Sequence, residues 1–587
     1  MYNNHKQQFQ SHDGQHIVYQ HWQSNQSIDT PAADKQAIIL LHRGHEHAER
    51  MAHLVSELDL PEFDFFAWDQ RGHGHTEGAR GDAPSFSAVV LDLEYFVRHI
   101  NQSYQIKTEN IAVIGQSVGA VLAATWVHDY APKIRALCLA SPAFDIKLYV
   151  PFARAGLTAL AKVRGNFFIT SYVKAKMLTH DQARAKSYDE DPMIAKAISV
   201  RMLLGLYEAS DRIVADAQNI FVPTQVLSSS ADFVVRQPPQ RSFFEKLAHP
   251  NKEWHVLEGF YHDTLGEKDR HLAIEKMRRF ILANFEHSHQ LNVLDADVIG
   301  SSCAIAEQIS TPLPAKSLKN AYWQLAKQNL KIGSLFSKGL KIGEKTGYDS
   351  GSTLDFVYRN QMESKNPLGK LIDKQYLNAI GWRGIRVRKQ NLELMLKQYA
   401  QQLSTEGQAV RILDIAAGHG RYILDAVAQL SERPASILLR DYSDINVDAG
   451  QALIHERGLH DIAQFVQGDA FDAQDLAAIE PKVNLAVVSG LYELFADNAW
   501  LRNSLTGLSN CVEVGGYLIY TGQIWHPQQE FIARALTSHR QGQAWVMRLR
   551  AQAEMDALVE QAGFKKVDQR IDEFGIFTVS VAQRIAE

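Results

Sequence analysis

The sequence predicts an α/β chain of two domains in series, each built on a mostly parallel sheet with crossover helices. Three observations predict it. Short apolar runs alternate with longer helical patterns over residues 1–285, and a second series of such runs starts near residue 410. The tight turns that follow the strands differ between the two series, so neither repeats the other. Length alone suggests about three or four domain-sized units, since 587 residues exceed what one hydrophobic core organises.

In the first series the runs 37–41, 63–68, 111–114, 136–139 and 224–227 each end in turn-forming or small residues. Continuous apolar runs of this length suit strands buried on both faces. The second series comprises 410–413, 436–439, 463–466, 485–488 and 517–520. The expected division is 1–285 for the first domain, 286–404 for a connecting and lid segment, and 405–587 for the second domain.

The composition, 45% apolar and 22% charged, is that of an ordinary globular protein. A net charge of -5 argues against a general nucleic-acid binder, which needs a basic excess. Cys138, Cys303 and Cys511 are too scattered for a disulfide framework or a zinc site, so no metal is expected and a reducing compartment is. The N-terminus lacks the apolar core of a signal peptide, and no apolar stretch reaches the roughly 18 residues of a membrane span. A cytoplasmic protein is expected, with peripheral contact at the inner face of the membrane left open.

Gly115-Gln-Ser117-Val-Gly119 follows the run 111–114 and precedes a helical pattern from Ala120. Strand, sharp turn and helix are the setting of a nucleophile elbow, with Ser117 at its tip. A serine hydroxyl needs a base, and that base needs an acid to fix its tautomer. Asp232 after the run 224–227 and His262 after a later strand-like run supply them in the expected order. His255 lies inside a strand-like run, and Asp263 is adjacent to His262, so both are poorer candidates.

These residues, with Asp13-Gly14, the loop 41–47, Trp68-Asp-Gln-Arg-Gly-His-Gly74, Leu178-Thr-His-Asp181 and Tyr188-Asp-Glu-Asp-Pro192, resemble the monoacylglycerol lipase and lysophospholipase family of serine hydrolases. The resemblance implies an α/β-hydrolase fold with a helical cap over about 145–215. It also implies an oxyanion hole from the backbone N–H groups of Gly44 and Val118 and a lipid or other acyl ester as substrate. Arg43 and His45 stand where the family's loop has glycines, which offers Arg43 to an anionic substrate group. Apolar cap residues, among them Leu148, Phe152, Leu160, Met202, Leu203 and Leu206, suit an acyl chain or form the cap's own core.

Between the domains, residues 316–345 hold seven lysines against the single acid Glu344. Leu318, Tyr322, Leu325, Ile332 and Phe336 fall near one face of a helix. Such a helix either lies on an anionic membrane or packs that face on a domain. Packing is the commoner arrangement and the one expected here.

In the second domain, Asp414-Ile-Ala416-Ala-Gly418-His-Gly420 follows a strand and opens a helix, as in a glycine-rich cofactor loop. Asp441, after the next strand, can hydrogen-bond a ribose. A dinucleotide fold would share both features. The motif Gln467-Gly-Asp469-Ala470-Phe and the closing pair of strands after Gly563 and Gly575 resemble those of the class I methyltransferases. The resemblance implies a Rossmann-like fold, S-adenosyl-L-methionine as cofactor, and adenine contact at Asp469 and Ala470. Tyr492 and Glu493 follow the fourth strand facing an acceptor pocket and either orient an acceptor amine or hydroxyl or serve in packing and capping, and 348–359 with 381–386 are expected to form a lid.

The combined reading is a bifunctional enzyme, a serine ester hydrolase joined to a methyltransferase that acts on lipids and has an unidentified methyl acceptor. The alternatives are a small-molecule esterase with a non-lipid methyltransferase, or a methyltransferase carrying a non-catalytic hydrolase-like module.

Overall fold

The computed structural model describes residues 2–25, 30–31, 34–287, 291–540 and 542–586. It divides into two units, 1–291 and 292–587.

The first unit contains β1 (Tyr2–Gln10), β2 (His16–Ser24), β3 (Gln36–Leu41), β4 (Phe63–Trp68), β5 (Ile111–Gln116), β6 (Ala136–Ala140), β7 (Phe168–Thr170), β8 (Ala197–Ser199), β9 (Thr224–Ser229) and β10 (Lys252–Leu257). Eight of them form one sheet in the order β1-β2-β4-β3-β5-β6-β9-β10. From β4 to β10 the pairing is parallel, while β1 and β2 add an antiparallel hairpin. Every residue of β4, β5, β6 and β9 is buried, as strands covered on both faces require. The polar β1 is an edge strand whose one buried side chain is Phe9, and the apolar-run reading therefore passes over it.

The chain leaves β3 for β4 on one side and returns to β5 on the other. That reversal opens a crevice at the carboxyl ends of β3 and β5, where ligands of α/β sheets bind. A cap of helices Ala153–Arg164, Gln182–Glu190 and Val200–Ala215 with the β7–β8 hairpin is inserted between β6 and β9.

The second unit contains β11 (Arg411–Asp414), β12 (Ser436–Asp441), β13 (Ala463–Gln467), β14 (Val483–Val488), β15 (Val512–Gln523), β16 (Phe564–Ile571) and β17 (Phe577–Arg584). Their order is β13-β12-β11-β14-β15-β17-β16, with β17 antiparallel to both neighbours. Here the reversal lies between β11 and β14.

The segment 286–404 is the one expected to be a linker and methyltransferase lid. From residue 292 onward it belongs to the second unit. Helix Ile380–Thr405 lays Leu392, Met395, Leu396, Tyr399 and Leu403 into the core beneath the sheet. Burial of this apolar stripe fixes the segment to the domain, because leaving it exposed would cost about 2 kcal/mol per large side chain.

Helix Leu318–Ser334 corrects an expectation. Tyr322, Leu325 and Ile332 are each more than half exposed, and Leu318 and Phe336 are exposed too. The packed face is a different one, carried by Trp323, which meets Phe531, and Leu330. Periodicity identified an apolar stripe but could not say which of two stripes faces the core.

No helix among the described residues is long and apolar enough to cross a membrane.

Candidate active sites

Ser117 sits between β5 and helix Val118–Tyr130 with φ 54° and ψ -112°. A non-glycine residue there stores about 1–3 kcal/mol of backbone strain. The flanking glycines explain how the turn closes. A Cβ on Gly119 would come within 2.4 Å of the Leu41 carbonyl oxygen, and one on Gly115 within 2.7 Å of the Gly119 oxygen.

His262 Nε2 lies 2.8 Å from Ser117 Oγ, and His262 Nδ1 lies 2.8 Å from Asp232 Oδ2. Asp232 Oδ1 accepts from the N–H groups of Val234 and Val235 at 2.6 and 2.9 Å. Burial would raise this carboxyl, but His262 and the two N–H donors outweigh it and hold it below the ordinary aspartate range. With the carboxylate accepting at Nδ1, the imidazole carries its proton there and turns Nε2 as an acceptor toward the Ser117 hydroxyl. The structure thus brings together the serine, histidine and acid singled out from the sequence, from turns after three different strands.

Gly44 lies against Val118, where a Cβ would meet the Val118 side chain at 3.0 Å. Val118 opens its helix, so its N–H has no intrahelical partner. His45 adopts φ 72°, the left-handed conformation that a glycine takes without cost. The loop therefore keeps a glycine-like shape despite the substitution.

Arg43 departs from expectation. It is buried, bonds Glu46 at 2.8 Å, approaches Asp263 at 3.8 Å and lies 4.9 Å over the Tyr188 ring. Its charge is neutralised inside the protein rather than offered to an anionic ligand. Asp263 also accepts from Arg184 of the cap at 2.6 Å and from Gln116, next to Ser117, at 2.9 Å. Burial opposes ionisation of Asp263, but Arg184 and Arg43 hold it far below the carboxylate range.

A cavity of about 120 Å³ reaches Ser117 and His262 and is walled by Phe86, Leu148, Met202, Leu203 and Leu206. Phe152 and Leu160 instead face outward, 88% and 44% exposed. The apolar cap residues are therefore divided between cavity wall and outer surface.

In the second unit, Asp441 at the end of β12 accepts from Gly418 N at 2.9 Å, Ser443 N at 3.0 Å and Asn446 Nδ2 at 2.9 Å. One carboxylate thus ties the glycine-rich loop to the following helix. Gly418 and Gly420 have φ of 58° and 70°. A Cβ on Gly420 would strike Leu439 at 2.5 Å. Ala416 N donates to Asp414 Oδ1, and Asp469 Oδ1 accepts from Phe471 N beside buried Ala470. The loops after β12 and β13 are joined by Gln467 Nε2 donating to the Tyr442 oxygen, and the Tyr442 ring is 77% exposed. The residues present fit a nucleoside-bearing cofactor: the glycine loop gives close backbone approach, and acids stand at or after the ends of β11, β12 and β13. Helix Gly351–Arg359 sits over the loop, with Gly351 Cα 3.5 Å from a Cβ built on Gly418.

Burial raises the Asp414 carboxyl to about 7, against the Tyr422 hydroxyl that donates to it at 2.5 Å. A carboxyl whose pKa is raised by folding favours the native state at low pH, and that contribution is lost as pH rises through about 7. Asp414→Asn is expected to raise the thermal midpoint of this unit at pH 8 relative to the parent, with a smaller gain at pH 5 that vanishes only below the unfolded-state value near 4. An equal gain at both pH values would show that Asp414 is already charged in the parent.

Tyr492 is buried with its hydroxyl 2.9 Å from Ser504 Oγ, a packing role. Glu493 instead lines a cavity of about 320 Å³ together with Arg388, its ion-pair partner at 2.9 Å. The sequence could not flag Arg388, His526 or Trp545, which reach this cavity from distant elements. Among the described residues no group of three or more His, Cys, Asp or Glu is placed to hold a metal ion.

Comparison with known proteins separates the two units. A family model described as "Serine aminopeptidase, S33" matches residues 32–269, and one described as "Putative methyltransferase" matches residues 277–584. The chain is 51% identical over 578 residues to the Escherichia coli (strain K12) protein named "Uncharacterized protein YnbC", covering 98% of each. Its first half is 25% identical over 255 residues to a monoglyceride lipase of Rattus norvegicus, covering 43% of this chain and 80% of that protein. Among solved structures, a Paleococcus ferrophilus monoacylglycerol lipase aligns with 20% identity and TM-score 0.41, over 46% of this chain and 99% of that one.

Proposed function

We propose a bifunctional enzyme on the premise that this chain belongs to the putative methyltransferase family, in a form with a serine-hydrolase unit at its N-terminus. The first unit hydrolyses a lipid ester through Ser117. The second transfers a methyl group from S-adenosyl-L-methionine.

The observation that carries the hydrolase reading is the Ser117–His262–Asp232 hydrogen-bond chain opening on an apolar cavity. Ser117 Oγ attacks the ester carbonyl as its proton passes to His262 Nε2, and Asp232 stabilises the imidazolium. The N–H groups of Gly44 and Val118 receive the developing oxyanion, an interaction that contributes about 3–4 kcal/mol per donor in other serine hydrolases. His262 then returns the proton to the leaving alcohol, and water releases the acid by the same steps. The apolar cavity wall and the monoglyceride lipase relatives favour an acyl chain as the acid part. A fluorophosphonate probe tests the nucleophile, and a series of 4-nitrophenyl esters tests the chain. Faster turnover of the decanoate than of the acetate is expected, and the reverse order would favour a small soluble ester.

In the second unit, Asp441, Gly418 and the 467–471 loop are the groups to hold the cofactor, which supplies an electrophilic methyl group when bound. Positioning the acceptor in line provides most of the rate. Calorimetry with S-adenosylhomocysteine tests this: the parent should bind it, and Gly418→Val should abolish binding while fluorophosphonate labelling is retained. Absence of binding to the parent would reject the cofactor assignment.

A further inference from the structure

A second cavity lies between helix Ile380–Thr405, the turn after β14, at the carboxyl end of the strand next to β11, and the segment after β15. Its volume, about 320 Å³, is that of a small-molecule site. Most of its wall is apolar, and the rings of Tyr376, Trp382, Phe531, Trp545 and Phe577 contribute to it. Trp382 and Trp545 lie nearly parallel, 26° apart with centroids at 6.3 Å.

Besides the glutamines Gln375, Gln523 and Gln528, this wall carries charged and aromatic polar groups. Glu493 and Arg388 share one ion pair, and Glu493 Oε2 and Arg388 Nε are both left without hydrogen-bond partners, as is the Tyr376 hydroxyl. His526 is buried, and its Nδ1 accepts from Gln528 N at 3.0 Å, so in the neutral ring the proton sits on Nε2. Burial keeps this imidazole neutral, with its pKa pushed down to about 4. Asp349, the other acid on the wall, is already bound to Ser538 and His539.

The wall therefore offers neutral donors, the His526 Nε2–H and the unpartnered Trp545 Nε1–H, and an ion pair with unmatched atoms of both kinds. A carboxylate would face Glu493, and an ammonium would face Arg388. A hydroxyl both donates and accepts without adding charge, which satisfies both sides. Five rings around it favour a planar body over a flexible chain.

We propose that this cavity binds the methyl acceptor, that the acceptor is an apolar aromatic molecule bearing a phenolic or enolic hydroxyl, and that Glu493 takes its proton. This rests on the methyltransferase reading above. The acceptor oxygen uses a lone pair to bond the methyl carbon as the carbon–sulfur bond breaks, its electron pair remaining on sulfur. The hydroxyl proton goes to the Glu493 carboxylate. Burial already raises Glu493, against the charge of Arg388, which improves it as a base.

The test uses the full chain and 1-naphthol, 1-naphthoate, 1-naphthylmethylamine and 1-decanol as probes, titrated calorimetrically with and without S-adenosylhomocysteine. Naphthol is expected to bind about tenfold or more tighter than the two charged probes, since each places like charges together in a buried site. It should also bind tighter than decanol. With S-adenosylmethionine, naphthol should yield 1-methoxynaphthalene. Glu493→Gln should lower that turnover about 100-fold, the loss of a general base, while naphthol affinity and S-adenosylhomocysteine binding persist. His526→Phe should weaken naphthol binding with cofactor binding intact. Tighter binding of a charged probe or of decanol, or full turnover in Glu493→Gln, would overturn the proposal. Failure of S-adenosylhomocysteine to bind the parent would instead overturn the methyltransferase reading. The naphthol titration without it would still judge the cavity.

Discussion

Ser117→Ala is expected to abolish fluorophosphonate labelling and to lower ester turnover by roughly 10⁴- to 10⁶-fold, the range for removing the nucleophile of a hydrogen-bonded triad. The variant should fold, because the alanine needs only to retain a backbone conformation that the surrounding turn already imposes. His262→Ala should lose nearly as much. The double variant should lose little more than either alone, since the two groups act as a unit. A parent that takes no label would make the first unit a binding module. Residual activity in Ser117→Ala within tenfold of the parent would place the nucleophile elsewhere.

The second large effect is on stability. Asp263→Ala is expected to cost about 3–5 kcal/mol, because it leaves the buried Arg184 and Arg43 charges short of their shared partner. Asp263 joins the cap through Arg184, the loop of Gly44 through Arg43, and the Ser117 turn through Gln116. Labelling of Ser117 should therefore slow in the same variant even where it remains folded. The pH dependence has a definite sign. Folding depresses this carboxyl, so its contribution is complete above the unfolded-state value near 4 and fades as pH falls below it. The parent should lose stability relative to Asp263→Ala as pH is lowered from about 5 to 2. Unfolding free energies from denaturant titration within about 0.5 kcal/mol of each other at pH 7 would remove Asp263 from any organising role.

This network also accounts for the unusual loop. Arg43 occupies a crowded turn, where Glu46, Asp263 and the Tyr188 ring absorb it. His45 accepts a left-handed backbone, and its carbonyl takes a hydrogen bond from Ala195 N of the cap. Neither residue needs to disturb the N–H groups of Gly44 and Val118.

The sequence by itself determined the two α/β folds, the serine turn with its later acid and histidine, and the glycine-rich loop with Asp441. Each of these depends on local rules: apolar runs make buried strands, small residues make tight turns, and the fold places the ends of parallel strands together. Only the tertiary structure decided which stripe of helix Leu318–Ser334 faces the core, and that residues 292–404 belong to the second unit. It also decided that Arg43 is neutralised internally, and that Glu493 rather than Tyr492 shares a cavity with Arg388 and His526. The physical reason is common to all four. Each depends on side chains meeting across long sequence separations, where the cost of burying a charge or an apolar face is set by a partner that local periodicity does not reveal.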